Sequence, residues 1–175
     1  VGGVTELFKN RVVLPFQGDY SQMDHVIHHE LVHAVINVMF YGGTVQSLVS
    51  SGNTVQLPLW MNEGICEFSS LEGMDTKTDM FMRDLIISEE LPPLQRMGGF
   101  LAYRGGQTFY WYIAKKYGRE RVGDLLNRLK INKTLEGAFL STFDMDVEEF
   151  NEQWQKDLKK YYWPDLDVFQ DPEDF

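Results

Sequence analysis

Apolar residues cluster first in a short β-prone run, Arg11 to Phe16, stopped by Pro15 and Gly18. That pattern predicts a brief strand, at a sheet edge because of Pro15. From Ser21 the apolar positions change to helical spacing. Ile27, Leu31, Ala34, Val35 and Val38 form one stripe, so a helix is expected from Ser21 to Phe40 or Tyr41, stopped by Gly42-Gly43. Asp24, three residues after Ser21, gives a weak capping-box signal. Val45 to Leu57 is polar and Ser/Gly-rich, a loop or loose hairpin around Ser51-Gly52-Asn53. Pro58 opens a second helix, Leu59 to Leu71. Amphipathic segments predict further helices at Asp79–Glu89, Ala102–Tyr117, Arg121–Leu129, Thr134–Phe143 and Val147–Tyr162, with a break at Leu91-Pro92-Pro93-Leu94. The expected fold is α+β, predominantly helical, with a small β element near the start. No repeat or linker divides it, so residues 1–175 read as one domain, with 165–175 an acidic tail or linker.

Composition narrows this picture. The chain has 175 residues, 43% hydrophobic and 14% aromatic, enough for one packed core. The formal net charge is −10, which disfavours nucleic acid and anionic membrane surfaces and suits soluble peptides. No apolar run reaches transmembrane length, so no membrane insertion is expected in this segment. The one cysteine, Cys66, excludes an internal disulfide and any zinc site built on several cysteines. The first residues, Val-Gly-Gly-Val, read as the start of an excised piece of a larger protein.

The chemistry lies on the two helices. Residues 29–33 read His-Glu-Leu-Val-His, and on a helix the two histidines share a face one turn apart. His29 and His33 can hold one Zn²⁺, and Glu30 can act as general base on a zinc-activated water. His25 permits another register, His25 with His29, but that one places Val26 at the base position. His28 points elsewhere. At 100° per residue His29, Glu30, His33 and Asn37 fall on a face adjoining the apolar stripe, giving the helix a core side and a chemical side. Trp60-Met61-Asn62-Glu63-Gly64 follows on the second helix, and Glu63 offers the third ligand. Cys66 reads as a buried structural residue, with no separate base to activate it.

His29-Glu30-Leu31-Val32-His33 with Trp60-Met61-Asn62-Glu63-Gly64 resembles the gluzincins, zinc peptidases whose third ligand is a glutamate on a later helix. The second motif is close to the W-L-N-E-G-F-A pattern of the aminopeptidase N group, departing at Met61, Ile65 and Cys66. The later chain, with Tyr117-Gly118, Ala138-Phe139 and Trp154, resembles small peptidase MA-like domains over about residues 11–162. The resemblance implies a zincin-like fold and a zinc metallopeptidase in which Glu63 completes the metal triad. It further implies that Glu67 accepts the free N–H of His29, with Asn62 and Asn37 as weaker supporting residues. It makes Tyr103 the first candidate for steadying the oxyanion, with Tyr110 in reserve. A strand such as Arg11–Phe16 can pair with an extended substrate in this family.

Peptide or protein substrates, an extracytoplasmic location in a bacterium and a C-terminal TolB-like β-propeller in the full-length chain follow from the same resemblance. No Gly-rich amine-anchoring motif precedes the histidines, which favours an endopeptidase. Two other functions share these residues: a non-catalytic partner-binding module beside a propeller, and a zinc hydrolase of a non-peptide bond.

Overall fold

In a computed structural model, residues 3–6, 11–15, 18–42 and 55–166 are described. Among them are seven α-helices and one two-stranded sheet. The sheet pairs β1 (Val4–Thr5) with β2 (Val12–Val13) antiparallel, Val4 opposite Val13. The helices are α1 (Tyr20–Tyr41), α2 (Leu59–Ser70), α3 (Thr76–Ile87), α4 (Phe100–Tyr117), α5 (Glu120–Asn132), α6 (Leu135–Phe143) and α7 (Val147–Leu166). A 3₁₀ turn, Leu94–Arg96, follows the proline pair.

The helix ends follow local chemistry. Gly42 closes α1 at φ 68°, a left-handed position that costs glycine nothing. Asp75 caps α3 by accepting from the backbone N–H groups of Lys77 and Thr78, and Thr134 caps α6 by accepting from Gly137. Tyr20 already lies in α1, so Ser21 stands in the first turn instead of at the cap. The expected hairpin around Ser51-Gly52-Asn53 and the tail beyond Leu166 lie outside the described residues. No helix among the described residues is long and apolar enough to cross a membrane.

The core is aromatic and centres on α4. Phe109 is fully buried and meets the Trp60 ring edge-on at 4.9 Å; Phe139 and Phe150 close on it from α6 and α7. Along α7, Trp154, Leu158 and Tyr162 face inward, and the Tyr162 hydroxyl donates to Asp79 at 2.8 Å.

Helix α2 lies between α1 and α4, and its contact with α4 is backbone on backbone. A Cβ on Gly106 would overlap the Trp60 carbonyl oxygen and stand 2.7 Å from Gly64 Cα. A Cβ on Gly64 would stand 2.5 Å from Gly106 Cα. Glycine at both positions therefore sets the spacing of the helix that carries Glu63.

The orientation of α1 corrects the expected apolar stripe. Leu31, Val35 and Val38 are 51%, 65% and 51% exposed, Ile27 and Ala34 are only half-buried, while His29, Glu30, Ile36 and Asn37 are buried. The chemical side is thus the inward side. His29 and His33 find partners on α2 and Glu30 finds Thr5 on β1, which removes the penalty that normally turns such groups outward.

Candidate metal centre

Helical spacing places His29 and His33 one turn apart on α1, their ring centroids 4.9 Å apart. Pro58 starts α2, whose Glu63 faces them. His29 Nε2 and His33 Nε2 lie 3.3 and 3.2 Å from the same oxygen, Glu63 Oε2. Ligand atoms about 2.0–2.1 Å from a tetrahedral zinc are themselves about 3.3 Å apart. The two histidine–carboxylate separations therefore match edges of such a coordination shell, and the donor set fits a divalent ion.

Electrostatics explain why these groups converge. Burial disfavours a charged His29, but the carboxylates of Glu63 and Glu67 outweigh it and lift the imidazole to about 9. Burial opposes a charged Glu63 as well, yet the two histidines hold it down at about 2. Glu67 is 2% exposed, and despite its burial His25 and His29 hold it at about 2. Its Oε1 lies 2.9 Å from His29 Nδ1 and 3.4 Å from His25 Nε2, close ion-pair approaches without good hydrogen-bond alignment. Glu67 thus stands behind His29, on the side away from Glu63.

Glu30 is buried, and its Oε2 accepts the Thr5 hydroxyl at 2.6 Å. Thr5 also donates to the Glu30 carbonyl at 3.0 Å. Gly3 is equally close, since a Cβ there would stand 2.5 Å from Glu30 Oε1. Gly3, Val4 and Thr5 border a cleft of about 310 Å³ together with His29, Glu30, His33, Asn37, Asn62, Glu63 and Tyr103. Every residue assigned from the sequence reaches this cleft except Glu67, which lies behind it. The strand on the cleft is β1 rather than the expected Arg11–Phe16. A two-residue strand has no alternation to betray it in sequence.

Tyr103 lies parallel to the His29 ring, 6.1 Å between centroids. Burial and then the Glu63 charge push its hydroxyl up to about 12, so it stays protonated at neutral pH. It also borders a larger cleft of about 670 Å³, lined by His25, Glu67 and Arg104, with Met23, Val26 and Phe100 as apolar walls. Tyr103 is therefore the partition between the two spaces. Tyr110 is fully buried in the aromatic core and does not reach either.

Residues 1–160 match the family model of the Peptidase MA superfamily. The chain belongs to the Peptidase MA superfamily. Neither the curated proteins nor the solved structures gave a match.

Two donors were not assigned to this role from sequence. Cys66 Sγ lies within 4.8 Å of ligand nitrogens of His29 and His33. It is fully buried, and burial followed by the charges of Glu63, Glu30 and Glu67 raises its thiol far above the usual range, which disfavours thiolate. His25, His29 and Glu67 form a second close group. There the Arg104 guanidinium, 3.7 Å from Glu67 Oε2, opposes a cation. Neither contact has a sequence signal beyond helical spacing, because each depends on the α1–α2 crossing.

Proposed function

We propose that this chain is a zinc-dependent peptidase that hydrolyses peptide bonds, most simply as an endopeptidase. The observation that carries the reading is the approach of two imidazole nitrogens to one Glu63 oxygen beside a buried Glu30. His29, His33 and Glu63 would hold the ion. Zinc, when bound, supplies Lewis-acid polarisation of the scissile carbonyl and acidifies a water. Glu30 takes the proton from the attacking water and passes it to the leaving amine. Tyr103, kept protonated, donates to the oxyanion that develops on the carbonyl. β1 offers backbone groups at the cleft edge to an extended peptide.

One observation favours the rival, a partner-binding module without turnover: Thr5 donates to Glu30 Oε2 and so competes with a water for that oxygen. Digestion of casein and a mixed peptide library, zinc-replete, separates the two. The peptidase reading expects cleavage by the wild type and none by Glu30→Gln with its zinc retained. Failure of the wild type to cut any peptide would favour the module, and hydrolysis confined to ester or amide model substrates would indicate a non-peptide substrate.

A further inference from the structure

We propose that Arg104 is a positioning residue of the metal centre, acting on His29 through the Glu67 carboxylate. The inference rests on the zinc reading above. A buried carboxylate without a fixed counter-charge is costly, and Glu67 is almost wholly enclosed. Its two oxygens are divided. Oε1 faces His29 Nδ1 and His25 Nε2, and Oε2 faces Arg104 Nη1 at 3.7 Å. Arg104 is the permanent cation of the three.

The guanidinium is itself held from several sides. Its Nη1 donates to Thr78 Oγ1 at 2.8 Å and to Asp75 Oδ1 at 3.3 Å, and its Cζ lies 5.3 Å from the Phe100 ring centre. Thr78, fully buried, donates to Gln107 Oε1 at 2.6 Å, and Gln107 Nε2 donates to the Gly73 carbonyl at 2.7 Å. A polar chain thus runs from the N-terminus of α3 through Arg104 to Glu67 and the back of His29. Asp75 and Thr78 do two jobs in it: they begin α3, and they aim the guanidinium. Groups that orient a ligating histidine from behind typically change metal affinity about 10–100-fold when removed. Arg104 lies one step further out, so the lower end of that range is expected.

Zinc affinity, read by competition with a chromophoric chelator on the purified protein, tests this alongside thermal melting. Arg104→Met should weaken zinc about tenfold, and Arg104→Lys, which keeps the charge, should recover part of the loss. Because Arg104 acts through Glu67, adding Arg104→Met to Glu67→Gln should cost little beyond Glu67→Gln alone. A lowered melting temperature with wild-type zinc affinity would make Arg104 merely structural and overturn the proposal. So would full additivity with Glu67→Gln. If Arg104→Met does not fold, Thr78→Val, close in shape, should weaken zinc about threefold, and wild-type affinity there would overturn the proposal. Zinc binding in the wild type that is absent, or unchanged by His33→Ala, would instead defeat the metal-site reading itself.

Discussion

The Gly64–Gly106 contact makes Gly106→Ala the sharpest structural test, because one methyl group is placed where only backbone fits. The new Cβ would stand 2.7 Å from Gly64 Cα and overlap the Trp60 carbonyl. Carbon atoms pack at about 3.5–4.0 Å, so α2 and α4 must separate by about 1 Å. Neither neighbour is a side chain that can swing aside. Overpacking of this kind costs about 1–3 kcal/mol, and the upper end applies where both partners are helix backbone. For a chain of this size about 3 kcal/mol lowers the melting temperature by about 6–12 °C. The same shift displaces Glu63, adjacent to Gly64, from its register with the histidines on α1, so zinc affinity should fall with stability. Differential scanning calorimetry of the metal-free and zinc-bound forms measures both. A melting temperature within 2 °C of wild type would refute the backbone contact and, with it, the explanation of the glycine that follows Glu63.

In the metal-free protein, Glu63 and Glu67 hold a proton on His29 to about pH 9 against its burial. An ion must displace that proton, so zinc affinity should fall about tenfold per pH unit below 9 and about a hundredfold by pH 7; a flat titration would refute this. The raised His29 stabilises the metal-free fold fully below its ordinary 6.5 and loses that contribution as pH rises through about 9. The depressed Glu63 and Glu67 stabilise it above their ordinary 4.5 and lose that contribution as pH falls through about 2, so melting should peak between 4.5 and 6.5. Tyr103→Phe should lower kcat about a hundredfold with zinc affinity unchanged, and an unaltered kcat would remove Tyr103 from the oxyanion role. Cys66→Ala should keep one equivalent of zinc while losing about 1 kcal/mol of stability, whereas loss of the metal would make Cys66 the third ligand.

What the sequence revealed and what it hid divide along one physical line. Helices α2 to α7 were legible from local signals such as Pro58 at the start of α2, Thr134 at the start of α6 and the Pro92-Pro93 break, although the Asp75 cap starts α3 three residues before the expected Asp79. His29 and His33 were legible because helical pitch alone brings them together. Periodicity did not reveal which face of α1 turns inward, since Leu31, Val35 and Val38 look like a core stripe until Glu63 and Glu67 are placed opposite the histidines. Sequence position also gave no hint that Arg104, near Tyr103, would reach Asp75 and Glu67. The Thr5–Glu30 hydrogen bond spans 25 residues from a strand too short to show a pattern.

The account's central claim is a metal held between α1 and α2 in one register. A crystal structure of the zinc-loaded protein, with anomalous diffraction collected on both sides of the zinc edge, tests it most directly. One peak is expected, with His29 Nε2, His33 Nε2 and a Glu63 oxygen all at about 2.0–2.2 Å and a fourth position open toward Glu30. A peak bound by Cys66 in place of Glu63, or one seated among His25, His29 and Glu67, would contradict it.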